Sequence, residues 1–134
     1  MSSPQQPSRV PLSEHAGLSA RVDRVEFSPG LPAPVDRPFP FGYAITVCNQ
    51  SPKAVTIKAR KWVVKDLARG TCHVTEGDGV VGCCPRLEPG ESFSYESYHI
   101  VASDSVADGA FLVCDDAGSV LLVRVPTFLM KVQT

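Results

Sequence analysis

Gly77, Gly79 and Gly82 fall at the GxGxxG spacing of loops that hold phosphate groups on backbone N–H donors. In a dinucleotide site such a loop follows a strand and opens a helix, whose N-terminus meets the pyrophosphate. Here the sequel is Cys83-Cys84-Pro85-Arg86-Leu87, which does not open a helix in that way, and Asp78 sets a negative charge inside the loop. The glycines therefore fit first a tight connection that needs φ > 0 or close backbone approach. Charge supplies a second chemistry. Lys53, Lys58, Arg60, Lys61, Lys65 and Arg69 stand in one stretch with only Asp66 against them. If the strand through Trp62 pairs with Thr71 to Glu76, the hairpin brings Gly77 to Gly82 beside Lys58 and Arg60. Successive loop amides could then form an anion nest that a base completes. The expected ligand-binding set is Lys58, Arg60, Gly77, Gly79 and Gly82, for phosphate, pyrophosphate or a nucleotide.

Five cysteines and three histidines raise two further chemistries. A structural zinc site needs four N or S ligands in tetrahedral array. Adjacent Cys83 and Cys84 do not easily face one ion, and Cys72 and His73 alternate to opposite faces of a strand. A thiol nucleophile among Cys72, Cys83 and Cys84 would need His15, His73 or His99 as base and a third group to orient it, and nothing in the sequence fixes that group. Asp115-Asp116 fits hairpin-turn chemistry better than a carboxylate pair. No catalytic residue, metal ligand or cofactor is expected, and the chain is not read as an enzyme.

The 134 residues suit one hydrophobic core, with 43% apolar and 20% charged residues. A net charge of -1 supplies no long-range field for nucleic acid or an anionic membrane. Basic residues do not extend into a stripe longer than one strand, and aromatics outside the core are few, which again argues against nucleic acid. No apolar run reaches the roughly 18 residues of a membrane span, since Val120 to Met130 is broken by Arg124 and Pro126. An odd number of cysteines without a secretory signal points to free thiols and a cytoplasmic setting. Residues 1–17 are expected to form a disordered tail, and 18–132 a single domain.

The elements that must position the glycine loop are strands. Leu18 to Phe27 holds Ala20 and Val22 in one phase and Val25 and Phe27 in the other, which predicts a bulge or sheet crossing near Asp23-Arg24. Prolines then crowd Pro29 to Pro40, an extended surface connection. Phe41, Tyr43, Ile45 and Val47 alternate on one face. Val55, Ile57 and Ala59 continue until a slip expected at Arg60-Lys61, after which Trp62 and Val64 take over, Trp62 as a core anchor. Leu67 to Gly70 turns the chain into Thr71 to Glu76. Phe93 and Tyr95 lie on a further strand. Tyr98 to Asp108 has mixed phase and could hold a short helical turn. Phe111 to Cys114 and Ser119 to Val125 close as a hairpin. Roughly seven short strands with turns every 8–12 residues predict an all-β fold, a two-sheet antiparallel β-sandwich of immunoglobulin or fibronectin type III-like form.

Asn49-Gln50-Ser51, Arg60-Lys61-Trp62, Gly77 to Gly82, and Pro85 and Leu87 with Pro89-Gly90-Glu91-Ser92-Phe93-Ser94-Tyr95 together resemble the ApaG domain family. The likeness runs from about Leu18 to Met130 and includes the close through Val125-Pro126-Thr127-Phe128. It departs at Ser97 to Asp104, where the family usually carries a Ser-Gly dipeptide and a Pro-containing loop. The resemblance implies a fibronectin type III-like sandwich. It also implies kinship with small bacterial proteins linked to cobalt and magnesium homeostasis, and with domains of eukaryotic F-box and polymerase-interacting proteins that mediate protein contacts.

The function expected from these features is a non-catalytic protein-interaction module with a protein partner that the sequence does not name, as monomer or homodimer. The alternative is a small-ligand binder, holding an anion at the glycine loop with a link to divalent cation homeostasis. Neither nucleic acid nor membrane is an expected partner.

Overall fold

Period-two alternation builds eight strands and, among the residues 13–132 that the computed structural model describes, no helix. They are β1 (Leu18–Phe27), β2 (Phe39–Asn49), β3 (Val55–Asp66), β4 (Cys72–Asp78), β5 (Arg86–Leu87), β6 (Ser92–Val101), β7 (Ser105–Asp115) and β8 (Val120–Met130). One sheet has the order β1-β2-β6; the other runs β4-β3-β7-β8, with β5 pairing β3, and every strand pair is antiparallel. The expected all-β sandwich is thus observed. Phe41, Tyr43, Ile45 and Val47 of β2 face Val55, Ile57 and Trp62 of β3 and Phe111 and Val113 of β7 across one buried core. Each such side chain contributes roughly 1.5–3 kcal/mol when removed from water.

Bulges decide which residues face that core. In β1 the register shifts between Val22 and Arg24, where the sequence predicts it. In β3 the shift lies between Ile57 and Ala59, so Lys58 is the extra residue, not Arg60-Lys61. The correction matters: bulging at Lys58 returns Arg60 to the inward phase of Trp62 and Val64. The helical turn expected between Tyr98 and Asp108 is absent, because β6 continues through Val101 and a bend at 102–104 leads straight into β7.

The two sides of the sandwich differ. On one, β1 packs against β8, and Ser13 makes a parallel bridge to Leu121, its carbonyl accepting from the Leu122 N–H at 2.9 Å. Residues 1–12 of the expected tail lie outside the described residues, whereas Ser13 belongs to this closed side. On the other side, β4 and β6 are both terminal strands of their sheets and leave a cleft between them. The proline-rich connection before β2 crosses its mouth: Tyr98 Oη donates to the Pro32 carbonyl at 3.1 Å, and Arg37 Nη1 meets His73 Nε2 at 3.2 Å. Asp66 closes the β3–β4 turn, its Oδ1 accepting from the Ala68 and Arg69 N–H groups and from Ser103.

Gly109 pairs with Trp62 across β3 and β7, and a Cβ at Gly109 would stand 2.5 Å from Cζ3 of the indole. Both flanking strands fix this backbone, so the ring must move. Gly109→Ala is expected to lower unfolding free energy by about 1–3 kcal/mol in denaturant titration, the range of an overpacked core.

Candidate functional site

The hairpin of β3 and β4 sets Arg60 directly opposite Gly77 and Ala59 opposite Asp78. From there the chain leaves the strand and turns sharply. Val80 and Cys83 exchange backbone hydrogen bonds, N to O, at 2.8 and 2.9 Å, and both residues between them have positive φ, 41° at Val81 and 82° at Gly82. That is the geometry of a type I′ turn, for which Asn-Gly is the favoured pair. Gly82 suits it; Val81, β-branched and about half exposed, is strained there. Gly79 is required for two reasons, a φ of 60° and a backbone so close that a Cβ would collide with the Cys83 carbonyl. Val80, wholly buried, roots the turn in the core.

Gly77 answers to a side chain. The Arg60 guanidinium lies flat across it, so a Cβ there would stand 2.7–2.8 Å from Cζ and both Nη atoms. In that position Arg60 Nη1 donates to the carbonyls of Asp78 at 2.8 Å and Gly79 at 3.2 Å. The loop therefore turns the Asp78 and Gly79 carbonyls toward the arginine, while three of its amides are engaged locally: Gly79 N–H donates to the Lys58 carbonyl at 2.7 Å, and Val80 and Cys83 serve each other. Of the five residues expected to hold an anion, Arg60, Gly77 and Gly79 come together as one unit. Gly82 shapes the turn beyond. Lys58 meets the loop through its backbone only, its side chain exposed on the bulge.

Arg60 also looks into the cleft between β4 and β6, a cavity of about 280 Å3. Strand phase places polar residues on its inner faces: Thr75 opposite Trp62 and His73 opposite Val64 on the large sheet, and Ser97 opposite Tyr43 on the small one, with His99 next inward along β6. The His99 ring stacks on Tyr43 at 4.6 Å between centroids and meets Trp62 edge-on at 4.7 Å. Its Nε2 and the Tyr95 Oη are buried without a hydrogen-bond partner among the described residues. Burial pushes the His99 imidazole down to about 4, because the charged form loses its solvation among these rings. Burial likewise pushes the Tyr95 and Tyr43 phenols up. Tyr43, Thr75, Ser97 and His99 were not among the expected site residues; the signal for them was a run of polar residues, Ser97 and His99, in the inward phase of β6.

Among the described residues no group of three or more His, Cys, Asp and Glu is placed to hold a metal ion. Cys72, Cys83 and Cys84 are exposed, Cys48 and Cys114 partly buried, and the hydrogen bonds their thiols make go to the Val80 carbonyl and Arg21 rather than to a histidine.

Comparison with known proteins gives the class of this sandwich. The ApaG domain model (DUF525) matches residues 32–113, and the chain belongs to that family. Protein ApaG of Brucella anthropi is 34% identical over 100 residues, covering 74% of this chain and 76% of its own. Protein ApaG of Methylorubrum populi is 33% identical over 121 residues, covering 87% and 88%. A crystal structure described as an ApaA protein of Bordetella pertussis superposes with a TM-score of 0.76 at 24% identity, over 90% of this chain and 97% of that one.

Two outcomes follow from the geometry. Val81→Asn removes the branched side chain from a left-handed position and should raise stability by roughly 1 kcal/mol in thermal or denaturant unfolding. The depressed His99 value means that the unfolded chain binds the extra proton between its ordinary 6.5 and about 4. Stability from this group is complete above that window and falls as pH drops through it, by up to roughly 3 kcal/mol. Asp23 and Asp66 are held below the usual carboxylate value of 3.8, Asp23 first by Thr46 and Asp66 first by Ser103, so their contributions are lost only at still lower pH. Denaturant midpoints measured from pH 7 to pH 4 should decline for the wild type and stay flatter for His99→Gln.

Proposed function

We propose that this ApaG-family chain is a non-catalytic recognition module that takes up an extended segment of a partner protein along the free edge of β4. The observation carrying this proposal is that, among the described residues, β4 pairs with β3 alone and its other edge has no partner, and β4 is exposed at every position except Gly77. Such an edge offers a row of backbone donors and acceptors to an incoming strand. Cys72–Asp78 contains no proline and no lysine, its pairing with β3 is without a bulge, and its charges, Glu76 and Asp78, sit together at the end next to the glycine loop. On its outer face Val74 is 51% exposed, and Val81 stands out at the adjoining turn, so apolar side chains flank the edge. On the opposite side of the sandwich β8 is bridged by Ser13 at Leu121 and packs against β1.

Affinity capture from a lysate with wild type, Val74→Lys and Leu129→Lys is the test. Leu129, 52% exposed on β8, is a matched control away from the edge. A partner retained by wild type and Leu129→Lys but lost by Val74→Lys is the expected result. Equal retention by all three proteins would overturn the edge as the contact.

A further inference from the structure

Beyond partner recognition, the geometry points to the cleft between β4 and β6 as a binding site for a small organic carboxylate with a flat apolar body. Inner faces of a sandwich are ordinarily apolar, since they make the core. At this margin five inward positions on three strands are polar: Arg60 of β3, His73 and Thr75 of β4, and Ser97 and His99 of β6. Ser97 is the small member of its row, between Tyr95 and His99, and the space its short side chain leaves is part of the cavity.

Charge fixes the sign of the ligand. Among the described residues Arg37 and Arg60 line the cavity and no carboxylate does. Arg60 is oriented before any ligand arrives, since Nη1 is engaged by the Asp78 and Gly79 carbonyls, while Nε and Nη2 have no hydrogen-bond partner among the described residues. A guanidinium with two adjacent N–H donors unengaged matches the two oxygens of a carboxylate. His99 Nε2, buried and without a hydrogen-bond partner among the described residues, adds a neutral polar group on the same inner face. The rest of the wall is apolar or aromatic, Val64 and Ile100 with Tyr43, Trp62 and Tyr98, and Tyr43 stacks on His99. A cavity of about 280 Å3 lies at the lower limit for ligand pockets, which run from roughly 300 to 1,000 Å3, and so suits one ring with its acid rather than a nucleotide.

Benzoate is the probe, titrated into the full chain while NMR follows the indole N–H of Trp62, the single tryptophan, and the amides of Thr75 and Ser97. Saturable shifts with a midpoint of about 1 mM or below are expected, with benzamide and inorganic phosphate at least about tenfold weaker. Arg60→Gln should weaken benzoate by about tenfold or more. Ser97→Leu, which fills the cavity and leaves Arg60 and its loop in place, should do the same. Lys61→Gln, on the outer face, should bind as wild type. The inference is overturned if benzoate moves none of these signals up to about 20 mM, if Ser97→Leu binds as wild type, or if phosphate alone shifts them as strongly. Failure here would leave the β4 edge untouched, since Val74→Lys alters no residue of the cleft.

Discussion

Arg60 lying across Gly77 is the contact on which the rest of this margin of the molecule depends. A charged side chain on an inward phase would cost several kcal/mol if its donors met only apolar neighbours. Here Nη1 finds the carbonyls of Asp78 and Gly79, and the guanidinium plane fits because residue 77 has no Cβ. Gly79 then has to turn left-handed to bring its carbonyl round, and the Val80–Cys83 turn anchors the result through buried Val80. The spacing of the three glycines is thus set by three separate requirements: room for a guanidinium, a left-handed bend against a close backbone, and the second position of a tight turn.

The same arginine marks where the hydrophobic seal of the sandwich ends. On the β1–β8 side the sheets close on one another and Ser13 covers β8. On the β4–β6 side the inward residues become polar, the edge strands have no further partner among the described residues, and the proline-rich connection reaches across through Arg37 and Pro32. Burial remains deep enough to hold His99 neutral at physiological pH. A wet, partly shielded margin of this kind is where a rigid sandwich can recognise something without disturbing its core.

Much of this was legible in the sequence. The clean alternation of Phe41, Tyr43, Ile45 and Val47 predicted β2, and the phase change around Asp23 predicted a bulge that is present. The bulge in β3 was placed too late because Ala59 is small enough to read as either face, and because an inward arginine contradicts the pattern that alternation relies on. For the same reason β6 read as mixed beyond Tyr95: Ser97 and His99 break the apolar phase, so a strand looked like a possible turn of helix. The glycine loop was legible as a connector beside Lys58 and Arg60, since hairpin pairing follows from turn position. That carbonyls rather than amides face Arg60 was not, because peptide orientation in a turn follows from local φ and ψ, which residue types alone leave open.

The most direct measurement is the mobility of the Arg60 side chain, by 15N relaxation at its Nε–H. A guanidinium clamped across Gly77 should give an order parameter near that of rigid backbone, about 0.85. A value below about 0.6, the range of flexible groups, would contradict the account, since Arg60 would then neither hold the glycine loop nor present a fixed face to the cleft.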